Sequence, residues 1–363
     1  MSLGSRAGAQ NDITIGGDAR AFAMGGAGIA LAQDIGGARV NPASLVFETR
    51  KFDLRIPTIA IRSTNDLALS KVTNYFANGQ LGNTGNINDL ARTFVSTDSE
   101  FGLSGDTSIR YQNVEISGYA IAAGKLLPND ALRTWVNNGQ QGILQEVAPG
   151  AQADLIAAGY ANLPAVSVGF KLPQPATSKE TIAVGVRAKL MRGYYAHYIA
   201  NAPALDGETD VVAAPELGNN SYLTKRGFGA DLGFLLKPQS TSRGTFSYGA
   251  IVSDAINPHI KFDTTDRNGL PSTLDLIKTT ASVGTAYQYG RSFTFVTDLV
   301  DITQAMGKTQ IRAGTEYYLP LTRLALRGGY SSATGFTYGA GFYGFNIALG
   351  KRQPLEIART LNF

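Results

Sequence analysis

The chain has 363 residues, 44% of them hydrophobic and only 17% charged, with 42 glycines, 16 tyrosines and 17 phenylalanines. Its formal net charge of +4 arises from 32 basic and 28 acidic residues without a Lys/Arg cluster, which gives no nucleic-acid signal. Cysteine is absent, so disulfide frameworks, thiolate metal sites and cysteine nucleophiles are excluded.

No apolar run approaches the roughly 20 residues of a spanning helix. If the chain enters a membrane, it does so with strands. The opening MSLGSRAGAQND lacks the apolar core of a signal peptide. An outer-membrane location therefore expects a chain whose signal peptide is already removed.

Residues 1–50 are rich in Gly and Ala and show no strand alternation until their end. They read as one unit, and residues 51–363 as another. In the second unit Phe52, Leu54 and Ile56 alternate with Asp53 and Arg55. Residues 66–76 read as a weak strand, and residues 77–107 as a long connection without clear pattern. Residues 128–160 read as a helical insertion of two short helices. Asn129 or Asp130 caps the first, and Pro149-Gly150 separates the two. Leu132, Trp135, Val136, Ile143, Leu144, Leu155 and Ile156 supply its apolar side. That side serves either the packing of the loop itself or the capture of an apolar ligand.

The stretch TIAVGVRAKLM, residues 181–191, is the most informative of the chain. Ile182, Val184, Val186, Ala188 and Leu190 fall on one face of an extended strand, and Ala183, Gly185, Arg187 and Lys189 on the other. A wall between lipid and water needs this pattern. It recurs with Phe228, Ala230, Leu232, Phe234 and Leu236 against Gly229, Asp231 and Gly233, and with Phe246, Tyr248, Ala250 and Val252 against Thr245, Ser247 and Gly249. Further runs place Ala281, Val283 and Tyr287 against Ser282, Gly284 and Gln288, and Ile311, Ala313 and Tyr317 against Arg312, Gly314 and Glu316. The last set Leu324, Leu326 and Tyr330 against Arg323, Arg327 and Gly329, and Phe345, Ile347 and Leu349 against Asn346, Ala348 and Gly350. A soluble β-sandwich also alternates. Small residues on the polar face and aromatics at strand ends, as at Tyr289, Tyr317 and Tyr343, favour a membrane barrel. At the C-terminus Leu355, Ile357, Leu361 and Phe363 share a face, with Arg359 costing roughly 2–4 kcal/mol on that face at mid-bilayer depth.

Connection lengths alternate as well. Residues 172–180, 238–244 and 289–291 are short, whereas 127–160, 199–221 and 257–275 are long. Bacterial barrels place short turns in the periplasm and long loops outside. The fold class is therefore all-β: a transmembrane antiparallel β-barrel of about 14 strands, both ends periplasmic, with short helices in loops.

Chemistry is sparse. The two histidines, His197 and His259, lack metal-ligand spacing. No G-x-S-x-G elbow occurs. Asp298 and Asp301 sit near a strand end, as many rim acids do. A dinucleotide reading of Gly26 and Gly28 fails, because Leu31 stands where the third glycine belongs. Neither an enzyme nor a cofactor nor a metal is expected. The inward charges read first as a salt-bridged ladder that fills the lumen. Their alternative use is a site for a carboxylate head group, for which Arg187, Lys189, Arg312 and Arg327 are the candidates.

Residues 18–45 read DARAFAMGGAGIALAQDIGGARVNPASL. Gly25, Gly26, Ala27, Gly28, Ala30 and Asp34, followed by the Asn41-Pro42-Ala43 triplet, resemble the N-terminal signature of FadL-like outer-membrane transporters. The pattern A-R-x-x-x-M-G-G-A-G followed by N-P-A is closer still to the TraF-like or PorV-like branch. Glycines let backbone approach a wall, and Asn41 before Pro42 is held extended. The resemblance implies an N-terminal hatch, here residues 1–50, folded into the lumen of a 14-stranded barrel that passes hydrophobic molecules. Gly25, Gly26, Gly28, Asn41 and Pro42 would be its hatch motif. Phe363 resembles the signal read by the outer-membrane assembly machinery. The expected function is passive uptake of a lipid-like or fatty-acid-like small molecule across a bacterial outer membrane. The alternative is a barrel that makes a protein contact at its extracellular loops, within a secretion, surface-attachment or conjugation apparatus.

Overall fold

In a computed structural model the described residues are 19–32, 39–48, 51–63, 99–137, 152–175, 177–201, 222–238, 244–265, 271–290, 292–322, 324–350 and 355–362. Sixteen strands occur among them. The first seven are β1 (Phe52–Ser63), β2 (Ser99–Tyr111), β3 (Val114–Pro128), β4 (Gln152–Lys171), β5 (Glu180–Asn201), β6 (Leu223–Pro238) and β7 (Thr245–Ile256). A separate hairpin follows, β8 (Lys261–Thr265) and β9 (Pro271–Asp275). The rest are β10 (Thr280–Tyr289), β11 (Phe293–Val300), β12 (Gln310–Tyr318), β13 (Leu324–Ser331), β14 (Gly335–Phe342), β15 (Phe345–Gly350) and β16 (Leu355–Asn362). All except the hairpin close into one barrel in sequential order, with β1 pairing antiparallel to β16. The barrel therefore has 14 strands, and no sheet edge is left for another chain.

Alternation dictates which side faces out. Val186 and Leu190 are 40% and 54% exposed on the outer surface, whereas Arg187 and Lys189 are 3% and 5% exposed inside. Such an arrangement is stable only where hydrocarbon wets the outside, because the same surface in water would be one continuous apolar patch. Outward aromatics gather at strand ends: Tyr330 and Phe336, 5.1 Å apart ring centre to ring centre, mark the long-loop end, and a larger group marks the other. Phe246 lies 4.8 Å from Tyr287 and Phe342 lies 4.5 Å from Tyr343, ring centre to ring centre, and Tyr289 and Tyr317 join them on the surface. All six turns at this end are short, including the two-residue Tyr343-Gly344 turn with both φ values positive (48° and 78°). The seven connections at the other end run from residues 332–334 to residues 64–98. Both β1 and β16 meet the short-turn end at their outer termini, through the Asp53–Asn362 pair.

Two expectations need correction. Residues 99–107 belong to β2 rather than to a connection, and β2 pairs directly with β1. The proposed strand at 66–76 lies outside the described residues, and the barrel closes without it. The connection from β1 to β2 thus falls at the long-loop end, as the parity of the other loops requires.

Among the described residues the helical insertion contains one helix, Asp130–Asn137, with Leu132 N donating to Asn129 Oδ1 at 2.9 Å as the cap. The second expected helix is strand: Leu155 and Ile156 lie in β4, opposite Leu126 and Lys125 of an extended β3. The small residues Ala157, Ala158 and Gly159 weaken the alternation there, and pairing with β3 overrides local propensity.

The long connection 257–279 holds the β8–β9 hairpin. Phe363 and the side chains of β16, Arg359 among them, lie outside what is described.

The wall is uneven in height. β4 and β5 have 20 and 22 residues, whereas a spanning strand needs about 9–11. Their upper halves rise past the apolar band, and the hairpin packs against the inner face of that extension. Ile260, Phe262, Leu276 and Ile277 are buried there with Met191 and Tyr195 of β5. Full burial of each large aliphatic or phenyl side chain is worth about 1.5–3 kcal/mol.

Candidate functional site

The lumen is occupied by the N-terminal segment. Its first element is the helix α1 (Ala19–Ala23), and its last is a 3-10 helix, Pro42–Phe47. Met24 and Ala27 between them are fully buried. α1 ends in a tight cap: Gly26 N donates to Ala21 O at 2.8 Å and Gly25 N to Phe22 O at 3.0 Å, with both glycines at positive φ (76° and 73°). This explains the Gly25-Gly26 pair, since a side chain would be strained at either position.

The segment runs around the inner wall, and the wall presents glycine where it passes. Gly169, Gly185 and Gly233 are successive cross-strand neighbours on β4, β5 and β6. Gly249 pairs with Gly284, and Gly314 with Gly329. A Cβ on Gly185 would coincide with the Pro42–Ala43 peptide, one on Gly233 with Asn41 Oδ1, one on Gly249 with the Ile29 carbonyl, and one on Gly314 or Gly329 with Met24. The alternation in these strands is therefore apolar residue outside and glycine inside, because backbone of the N-terminal segment lies directly on the wall.

Polar side chains pin the segment at intervals. Arg20 donates to Glu316 twice, from Nε at 2.8 Å and Nη2 at 2.6 Å, and Arg327 Nε donates to the same carboxylate at 2.6 Å. Glu316 is 1% exposed, so this three-membered charge cluster is dry. Asp298 Oδ2 accepts from Gly28 N at 2.6 Å and from Ile29 N at 3.1 Å. Gly25 N donates to Thr337 Oγ1 at 3.0 Å, and Ser247 Oγ donates to Ala30 O at 2.7 Å.

Asn41 is extended (φ −157°, ψ 109°), as its proline neighbour requires. Its Nδ2 donates to Ile29 O at 2.9 Å and to Phe234 O of β6 at 3.0 Å, while its Oδ1 accepts from Ala43 N at 3.1 Å. Asn41 thus ties the two halves of the segment to each other and to the wall. Pro42 opens the 3-10 helix, where a missing N–H costs nothing. Near the end of the segment, Arg39 lies 3.8 Å from Asp106 and stacks 3.6 Å above Tyr119, and Arg110 pairs with Glu48 at 3.3 Å and with Asp53.

The four candidate head-group cations do not form one site. Arg327 is engaged by Glu316 and donates from Nη1 to Asn346 Oδ1 at 2.8 Å. Arg312 is on the neighbouring strand but donates to Gly26 O at 3.3 Å and Gln310 Oε1 at 3.0 Å. Lys189 bridges Asp231 and Asp254, each at 2.6 Å. The second of these contacts depends on a bulge in β7, where Asp254 adopts φ 52° and turns inward. Arg187 donates to Ser117 Oγ at 3.4 Å, and its Nε has no hydrogen-bond partner.

A register row, Asp53, Arg110, Glu115, Ser167, Arg187 and Asp231, carries alternating charge around this half of the lumen. Asp301, expected as a rim acid, is committed to its own loop: its carboxylate accepts from Thr303 Oγ1, Ala305 N and Met306 N at 2.9, 3.0 and 2.7 Å. Among the described residues no group of three His, Asp or Glu side chains is placed to hold a metal ion.

Sequence reasoning did not single out Arg20, Thr337 or Ser247. Arg20 carried a usable signal, since a cation inside the apolar run ARAFAM must find a carboxylate if that run is buried. Its partner is 296 residues away, and no local pattern names it.

No protein-family model and no curated protein matches the sequence. Solved structures with a related fold do occur. The toluene transporter TbuX of Ralstonia pickettii is 12% identical, with 95% of this chain and 98% of that chain covered and a TM-score of 0.40. The toluene transporter TodX of Pseudomonas putida is 13% identical, with 94% and 96% covered and a TM-score of 0.36. The CymD monoaromatic hydrocarbon channel is 12% identical, with 96% and 98% covered and a TM-score of 0.31. These are FadL-family barrels, the family whose signature residues 18–45 resemble. Similarity of this degree speaks to fold and not to solute.

Proposed function

We propose that this barrel is an outer-membrane channel for passive uptake of hydrophobic small molecules, and that residues 1–50 are its hatch. One observation carries the reading. The chain closes a hydrocarbon-facing wall and then fills the passage with its own N-terminal segment, seated on glycine and held by a few side-chain contacts. A purely structural barrel of this width has no need of a separable stopper. No cofactor and no energy source are part of this reading. For a fatty-acid-like solute, Arg187 is the candidate held by the longest contact, 3.4 Å to Ser117 Oγ, whereas Lys189, Arg312 and Arg327 hold closer internal partners.

The test is uptake by cells, whose lipopolysaccharide leaflet resists apolar solutes that cross a plain phospholipid bilayer unaided, comparing cells without the protein, with the full chain, and with a variant lacking residues 1–48. An apolar solute should enter faster with the full chain than without it, and faster still with the variant. Equal permeability in all three would overturn the reading. If one stoichiometric protein then co-purified through the loops, the secretion or attachment role would take its place.

A further inference from the structure

The outward residues of β5 and β6 meet as cross-strand pairs, and two successive pairs differ in character. Leu190 pairs with Phe228, and both are exposed on the outer face. The next outward pair toward the long-loop end is Arg192 with Arg226. Parity fixes their side. Gly193 faces the lumen, where a Cβ would strike Ile260, and Lys225 lies over the Phe262 ring inside. Like charges placed directly opposite one another destabilise a sheet. No ion pair joins either arginine to a described carboxylate, and Arg192 Nε is buried without a hydrogen-bond partner. The neighbour of Arg192 on β4 is Ala161, which brings no charge.

Arg192 extends away from Leu190. Its Cζ lies 5.2 Å from the centre of the Tyr194 ring, one outward position nearer the long-loop end, and Tyr194 lies 5.9 Å from Tyr222. The guanidinium is thus carried up from the hydrocarbon face toward water on its own apolar stem. Tyrosines at this level are the side chains that a membrane–water boundary favours, with ring in the apolar zone and hydroxyl in the wet one.

We propose that Arg192 and Arg226 bind one phosphate of a phosphorylated, acylated sugar in the outer leaflet, with acyl chains on Leu190 and Phe228 and the sugar against Tyr194 and Tyr222. The long-loop end of such a barrel faces outward, where that leaflet is lipopolysaccharide. A phosphate between the two cations turns their repulsion into a shared attraction, because each guanidinium presents a planar fork of donors to its oxygens. A lipid phosphate is favoured over a free anion by position. The pair stands on the outer face directly above exposed apolar side chains, and only an amphiphile satisfies both. The inference needs the outer-membrane placement of the barrel and not the passage of a solute.

The test is native mass spectrometry of the full chain in neutral detergent, with bis-phosphorylated lipid A as the probe. The parent should retain one copy. Arg192→Gln with Arg226→Gln should weaken retention about 100-fold, at about tenfold for each charged hydrogen bond lost. Equal retention by parent and double variant overturns the proposal. Dephosphorylated lipid A held as tightly by the parent would remove the phosphate from the account, and phosphatidylglycerol held as tightly would overturn the assignment to a sugar lipid.

Thermal unfolding gives a second readout. Without lipid, Arg226→Gln relieves the repulsion and should raise the midpoint above the parent's. With lipid A present, the parent should be the more stable of the two. A difference of the same sign in both conditions overturns the proposal, since an arginine with a merely structural role would show no reversal.

Discussion

Glu316 is the most informative residue to perturb. Its carboxylate neutralises two guanidinium groups, Arg20 on the N-terminal segment and Arg327 on the wall, and all three are buried. In Glu316→Gln both cations lose their counter-charge and face each other in a dry site. Breaking a buried ion pair by removing one partner costs about 3–5 kcal/mol. Gln retains one acceptor, so the lower end applies. With tenfold for each 1.4 kcal/mol, undocking of the segment becomes about 100-fold more favourable. The barrel itself should persist, because its ladders do not involve these side chains. Ala27 is fully buried, and Ala27→Cys reports docking through its labelling rate. That rate should rise about 100-fold in Glu316→Gln, provided reclosing outpaces labelling. Arg20→Met should have a smaller effect, because it leaves Glu316 paired with Arg327. A labelling rate within about threefold of the parent, in a barrel that still shows its heat-modifiable band, would refute the idea that this cluster holds the segment.

Gly185→Val should leave β5 intact, since valine favours strands, yet its side chain would occupy the Pro42–Ala43 peptide. Apolar-solute flux should rise, and a variant as tight as the parent would show that the glycine seat is dispensable. Leu190→Arg puts a cation on the hydrocarbon face and should cost about 2–4 kcal/mol near the bilayer midplane, read as a shift in urea unfolding from vesicles. An unchanged midpoint would place residue 190 outside the apolar band. Asp301→Ala removes the acceptor for Thr303, Ala305 and Met306, so the loop between β11 and β12 should open to limited proteolysis while flux stays unchanged. A loop as protease-resistant as the parent's would mean that the aspartate does not organise it.

What the sequence discloses depends on where the causes lie. TIAVGVRAKLM is legible because every outward residue from Ile182 to Leu190 is aliphatic, so the two-residue period has full amplitude. β2 is not, because Gly105 and Thr107 stand on its outward face and flatten the same signal. Leu155 and Ile156 fail for a related reason: three small residues follow, and only the register with β3 decides between helix and strand. The hairpin strands have five residues each, too short for periodicity to speak. The motif around Gly25, Gly26, Asn41 and Pro42 identifies a segment with unusual backbone requirements, and the helix cap and the extended Asn41 are those requirements.

The other half of the fit is not in the motif at all. Gly185 and Gly233 look like ordinary small residues on a lumenal face, and they become seats only once pairing sets them side by side beneath Pro42. The lumenal cations follow the same logic. A pattern of Arg and Lys on the inner face is visible in the sequence, but their engagement is set by residues far along the chain, or by a single positive φ at Asp254. Local chemistry therefore gives the wall and its two faces, whereas the stopper, its seats and its charge partners arise from contacts between segments that only closure of the barrel brings together.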